Sequence, residues 1–217
     1  VESAVAAPVM VPGVSLTRLE WLAERIADMG ISWGTGDSRV SGTLWWCMAA
    51  SSLVDPIATA YAEGLPAPGS VLEQLLCEVR PDGGIERVVS AAHQDGRADS
   101  GPDTDVGHAL HRTLDRIIPA VAAVSGAGVP SLWAIVADAI GNRALDAGDP
   151  EAGARLAREV AGRLPVPRFT DIGGRTFLRR TSCCLVYEVP GCQMCTSCPK
   201  RPVAERNNLL AELAAGS

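Results

Sequence analysis

Five of the seven cysteines lie within sixteen residues, from Cys183 to Cys198. Four make a spaced set: Cys183-Cys184, ten residues, then Cys195-x-x-Cys198. Thiolates gathered this closely repel unless a cation or a disulfide joins them. Sulfur is a soft donor suited to zinc, copper(I) and iron–sulfur clusters. A Cys-x-x-Cys turn puts two sulfurs on one side of a tight loop, as tetrahedral zinc or one cluster iron requires. The adjacent pair discriminates further. Structural zinc sites space the two ligands of each knuckle, which Cys183-Cys184 cannot do, and neighbours on a regular strand point to opposite faces. Both bind only if the backbone turns between them or if they take different metal atoms. A two-iron cluster offers two cysteine places on each of two metals, so the spacing favours 2Fe–2S over zinc. Zinc and a vicinal disulfide stay open as alternatives. Cys192 breaks the Cys-x-x-Cys spacing and reads as a fifth, non-ligand thiol. Cys47 and Cys77 read as buried small hydrophobes.

The charge around these cysteines is distinctive. Residues 163–206 carry eight cations (Arg163, Arg168, Arg175, Arg179, Arg180, Lys200, Arg201 and Arg206) against Asp171, Glu188 and Glu205, a net +5. The whole chain is formally −6, so the remainder carries −11. Arg175, Arg179, Arg180, Lys200 and Arg201 flank the cysteines. There they can stabilise a reduced, anionic cluster and raise its potential, or receive an anionic electron donor or a substrate. The plainer reading is a solvated basic face. An overall acidic chain has no positive field for general nucleic-acid binding.

The elements that must position the site are mostly helical. With 217 residues, 47% hydrophobic and 20% charged, the chain is large enough for a real core. An odd, crowded cysteine count does not suit a secreted disulfide framework, so a reducing, cytoplasmic setting is expected. There is no uncharged apolar run long enough to span a bilayer. Val1 to Ser15 lack the basic start of a signal peptide and read as a frayed leader.

Apolar periodicity predicts a helix over 16–29, with Thr17 and Glu20 as a capping box and Gly30 as the stop. A second runs over 38–63, N-capped by Ser38 and kinked or split at Pro56. Residues 64–70 read as a loop. Pro81–Gly84 predicts a turn between strands Cys77–Arg80 and Ile85–Ser90, with a polar loop over 93–103. Helices follow over 104–124, from Pro130 onward, and from Asp149 to Arg163. Residues 175–189 read as extended up to the Pro190–Gly191 turn, and 202–214 as a last helix. The fold class is mainly α with a minor β-hairpin, divided into a helical body, 1–174, and a C-terminal cluster-binding segment, 175–217.

The remaining candidates carry weaker chemistry. His108, His111 and Asp115 share a helix face, read as a solvated polar face because a fourth ligand is missing. His93 reads as an exposed loop residue. Trp33, Trp45 and Trp46 read as core rather than as a ligand pocket. Gly126-Ala127-Gly128 lacks the third glycine and the preceding strand of a dinucleotide site and reads as a helix–helix turn.

The run Arg180-Thr181-Ser182-Cys183-Cys184-Leu185-x-Tyr187-x-x-Pro190-Gly191-x-x-x-Cys195-x-x-Cys198-Pro199 resembles the C-terminal signature of the FhuF-type ferric-siderophore reductases. The likeness covers about twenty residues; before them it is diffuse, a helical region with Asn142 on an apolar helix. It implies a 2Fe–2S cluster on Cys183, Cys184, Cys195 and Cys198, and one-electron reduction of a ferric, hydroxamate-type siderophore. With no nicotinamide or flavin site in the sequence, the electron would come from a ferredoxin-like protein or a small reductant. Two other readings stay open: a zinc-binding interaction module, and an iron–sulfur carrier or sensor. The sensor would call for a DNA-reading element, and no helix carries a basic recognition face.

Overall fold

The structure, a computed structural model, describes residues 9–91 and 105–216. The loop expected over 93–103 and His93 lie outside the described residues. The first described residues, Val9–Pro12, are not frayed: they form strand β1.

Helix α1 spans Leu19–Trp33, later than the sequence predicts. Residues Gly13–Thr17 form a 3-10 turn instead. There the Thr17 hydroxyl donates to the Val14 carbonyl at 2.8 Å, so it does not cap the helix. Gly30 remains helical; the helix stops at Gly34 in the left-handed region (φ 68°). Helix α2 spans Ser38–Glu63 and ends at Gly64. Its cap is Asp37, whose carboxylate accepts from the Arg39 and Val40 amides at 2.8 and 3.2 Å. Pro56 does not split it. Leu53, Val54, Ile57 and Ala58 are buried on either side of the proline, and that packing outweighs a proline cost of roughly 3 kcal/mol.

Strands β2 (Leu75–Val79) and β3 (Ile85–Ser90) form the expected hairpin. Strand β1 adds to it, giving an antiparallel sheet of order β1-β2-β3. Helix α3 spans Val106–Ser125, capped by Asp105, whose carboxylate accepts from the His108 amide at 3.0 Å. Gly126 (φ 75°) turns the chain into α4, Val129–Asp146. Asp149 caps α5, Pro150–Val160, by accepting from the Ala152 amide at 3.1 Å.

Helix α2 is the axis of the body and packs on α1, α3, α4, α5 and β3. Two adjacent tryptophans, both 0% exposed, tie it in opposite directions. Trp45 Nε1 donates to the Gly83 carbonyl of the hairpin turn, and Trp46 Nε1 to the Leu132 carbonyl of α4, each at 2.9 Å. Gly42 lets α2 approach α3: a Cβ there would sit 2.2 Å from Ser125 Cβ. Trp33 is exposed at the end of α1 and outside this core.

The C-terminal region departs from its extended reading. Strands β4 (Phe169–Ile172) and β5 (Arg175–Leu178) pair as a hairpin. Beyond Leu178 the chain leaves extended structure, because its backbone amides bond to α4 rather than to a strand. Helix α6, Val203–Ala215, closes the described chain. Helix α6 lies against β4, and β5 lies on α4. Among the described residues no helix is long and apolar enough to cross a membrane.

Candidate metal centre

The cysteine segment is fixed to the body by one buried carboxylate. Leu178 is buried where α4 carries Gly141; a Cβ on that glycine would lie 2.6 Å from Leu178 Cδ1. The chain then passes over Asp138 of α4, which is 4% exposed. Its carboxylate accepts from the Thr181 amide at 3.0 Å and hydroxyl at 3.1 Å. It also accepts from the Ser182 amide at 2.8 Å and hydroxyl at 2.6 Å. Arg180 Nε lies 3.5 Å from the same carboxylate. A charge this deep is tolerated only with several donors and a counter-ion around it. Sequence reasoning missed Asp138, because a single acidic residue on an apolar helix gives no hint of its partners.

Past Ser182 the backbone turns sharply. Leu185 is left-handed (φ 62°, ψ 10°) although it carries a side chain, at a cost on the order of 1 kcal/mol. The turn aims successive amides at successive sulfurs: the Leu185 N–H donates to the Cys183 thiol and the Val186 N–H to that of Cys184. On the far side, Arg201 holds the second cysteine turn. Its Nε donates to the Cys195 carbonyl at 3.0 Å and its Nη2 to the Met194 carbonyl at 2.6 Å.

The four thiols meet as two pairs. Cys183 Sγ lies 3.9 Å from Cys198 Sγ, and Cys184 is hydrogen-bonded to Cys195. Cys198 is 1% exposed, and the other three are partly buried. Two thiolates on one tetrahedral metal with bonds of about 2.3 Å lie about 3.8 Å apart, so the first pair already has the spacing of two ligands on one ion. A lone zinc needs four ligands around one centre; a two-iron cluster needs two pairs. The donor set fits the cluster.

Thiol acidity follows this geometry. Cys184 is lowered to about 5, first by its hydrogen bond with Cys195, with the Val186 amide and Arg180 adding to it against burial. Cys195 is raised by the same bond and by burial. Cys183 is raised by burial and by its neighbour Cys198. Burial works to lower Arg180, but Cys184, Cys195, Cys47 and Asp138 together raise it.

The flanking cations do not act as one face. Arg180 is turned inward, and its Nη1 reaches Cys195 Sγ at 3.5 Å. Arg201 is also drawn in, by the two carbonyls. Lys200 sits on the rim, 5.0 Å from the centre of the Tyr187 ring. Arg175 stacks over Phe177 at 5.3 Å, and Arg179 is exposed. Cys47 of α2 is more than a core filler. It retains a little exposed surface but is densely surrounded by protein, next to Cys184, Arg180 and Asp138, and burial pushes its thiol up to about 12. Cys77 is buried in β2 with its thiol also pushed up to about 12. Cys192 packs on the core edge. The histidine face does not assemble. His108 bonds to Asp105, whereas His111 is half-buried and stacks on Trp133 at 5.7 Å.

No curated protein matches this chain. Residues 180–200 match the family described as the FhuF 2Fe-2S C-terminal domain. That match spans the Arg180 contact, both cysteine pairs and Lys200, and with it the segment is an FhuF-type domain whose cofactor is a 2Fe–2S cluster.

Proposed function

We propose that the protein is a siderophore-iron reductase that passes one electron to a ferric, hydroxamate-type chelate and so releases Fe(II), with Cys183, Cys184, Cys195 and Cys198 holding the cluster. The observation that carries this reading is a cleft of about 430 Å³ with Cys183 in its wall. It runs between the cysteine segment and the body. Arg39 and Thr43 of α2, Ser131 of α4 and the rim residue Lys200 line it. An acceptor seated there lies against a cluster ligand.

The cluster supplies a single electron when bound. The rest of the task falls to side chains. Ferric iron in a siderophore sits among hard oxygen donors, and Fe(II) is held poorly by them, so the chemistry needs neither a general base nor a nucleophile. The rim binds and orients the chelate. Arg39 is paired with Glu188, which accepts from the Tyr187 hydroxyl, and that hydroxyl accepts from Lys200. Arg39 and Lys200 against Glu188 leave this rim with a net positive charge, so it offers donors to the oxygen-rich surface of a ferric hydroxamate. Asp138 and Arg201 keep the two cysteine turns in place.

The electron enters from outside, from a ferredoxin-like protein or a small reductant. Exposed Arg179 and the cation over Phe177, Arg175, offer positive charge to an acidic donor. Free thiols and this chemistry suit the cytoplasm.

The test is anaerobic. Holoprotein reduced with dithionite, freed of excess reductant and mixed with a ferric trihydroxamate, recovers its oxidised visible spectrum while a ferrous chelator traps one Fe(II) per electron. A reduced protein that keeps its electron in the presence of every ferric siderophore overturns the reading and leaves a carrier or sensor.

A further inference from the structure

We propose that the two members of the adjacent pair take different irons, each with one member of the Cys-x-x-Cys turn: Cys183 with Cys198 on one, Cys184 with Cys195 on the other. The proposal rests on the four thiols being the cluster ligands. It goes beyond that reading because a ligand set does not say which sulfurs share a metal. Three pairings of four cysteines are open, and the most local one puts Cys195 and Cys198 together.

Four features select this pairing. Cys183 and Cys198 are 3.9 Å apart, close to the sulfur–sulfur edge of about 3.8 Å on one tetrahedral metal. Cys184 and Cys195 are joined by their own thiol–thiol hydrogen bond. The backbone enforces the split. Ser182 is fixed from below by Asp138, and the left-handed Leu185 aims its N–H at Cys183 and that of Val186 at Cys184. Finally, the surroundings of the pairs differ. Arg180 donates to Cys195 Sγ, whereas Cys183 faces the cleft. Arg180 thus belongs to the metal on one side and the proposed docking cleft to the metal on the other.

Double serine variants decide the matter, because they place oxygen ligands either on one iron or on both. Holoprotein enriched in ⁵⁷Fe is measured by Mössbauer spectroscopy in the oxidised state. In Cys183→Ser/Cys198→Ser, half of the iron keeps the wild-type doublet and half shifts. Cys184→Ser/Cys195→Ser behaves the same way. In Cys195→Ser/Cys198→Ser and Cys183→Ser/Cys184→Ser, both irons shift and the wild-type doublet disappears. A surviving half-area wild-type doublet in Cys195→Ser/Cys198→Ser overturns the pairing.

Should the double variants fail to assemble a cluster, the wild type supplies a second readout. Ferricyanide is used to destroy the cluster in place, each pair of released thiolates giving up two electrons to two ferricyanide ions as its S–S bond forms, and the bonds are mapped by mass spectrometry. Cys183–Cys198 and Cys184–Cys195 bridges support the pairing; a predominant Cys195–Cys198 bridge overturns it. Wild-type protein that carries no two-iron cluster at all sinks the ligand assignment itself, and the pairing with it. A normal cluster with the wrong doublets sinks the pairing alone.

Discussion

The helical body and the cysteine segment keep their order by different means. The body is a packed hydrophobic solid: Trp45, Trp46 and Trp133 and the aliphatic faces of α2, α3 and α4 are buried together. Between Thr181 and Pro202 the only regular element is a 3-10 turn, and Leu185, Val189 and Cys198 are the only buried apolar residues. That stretch is held by polar anchors, Asp138 on one side and Arg201 on the other, and by the thiol pairs. Cysteine itself changes character across the boundary. In the body Cys77 is a buried hydrophobe with its thiol pushed up to about 12; in the segment the thiols face one another in pairs. A short segment too small to make a core can still be specific if each of its few contacts is directional.

This contrast predicts an asymmetry. Removing a core side chain should cost both regions, whereas removing a segment contact should cost the cluster alone. Trp46→Ala deletes a fully buried ring and its bond to the Leu132 carbonyl. We expect a loss of about 3–5 kcal/mol, read as loss of both helical circular dichroism and visible colour. Cys198→Ser removes the most buried thiol of the segment. The visible chromophore is lost or strongly altered, while the far-ultraviolet spectrum of the body stays within a few per cent of the wild type, on the order expected for a segment with little helix. If Cys198→Ser unfolds the body as well, the two regions are one cooperative unit.

Asp138→Ala tests the anchor between them. It leaves four donors without an acceptor and Arg180 without its carboxylate. We expect a cost on the order of 3 kcal/mol and faster cluster loss to a chelator. Asp138→Asn keeps one acceptor oxygen and should fall between the two. Arg180→Gln removes a positive donor from Cys195. The reduction potential should fall by on the order of 50 mV, measured by an anaerobic redox titration, and the unfolding midpoint should fall with it, because Asp138 loses its buried counter-ion.

The smallest effect concerns the Cys77 thiol. Cys77 ionises near 12 in the folded chain, above its ordinary value of 9.0. Its pKa is raised, so its contribution is fully present below the ordinary value and is lost as pH rises towards 12. Stability should therefore fall across that alkaline window with a slope of at most about 1.4 kcal/mol per pH unit from this group. Cys77→Val should flatten the slope in urea titrations between pH 9 and 11. An unchanged slope assigns the alkaline loss to other groups.

Much of this was legible in one dimension. Apolar periodicity located α2, α3 and α4, and the Asp149 cap located α5, because those signals are local: a helix is decided by residues three and four apart; the α2 cap itself is Asp37 rather than Ser38. The cysteine spacing and its resemblance pointed to two irons for a related reason, since ligand number and type are written in the chain. What failed was non-local. Strand β1 looked like a frayed leader because its stabilisation comes from pairing with residues about 65 positions away, Val9 with Val79 and Pro12 with Leu76. Pro56 looked like a break because the burial that overrides it comes from other elements. The stretch after Leu178 looked extended because nothing local reveals that Asp138, more than forty residues earlier, takes its amides.

The sequence by itself determined which atoms could meet a metal and that they would be thiolates in a basic setting. Only the tertiary structure decided how those sulfurs divide, which of the flanking cations turn inward, and which wall of the site opens to a cleft. Ligand identity is a property of side chains. Pairing, burial and access depend on where α2 and α4 hold the turning backbone, and those helices are positioned by a core that the cysteine segment does not contain.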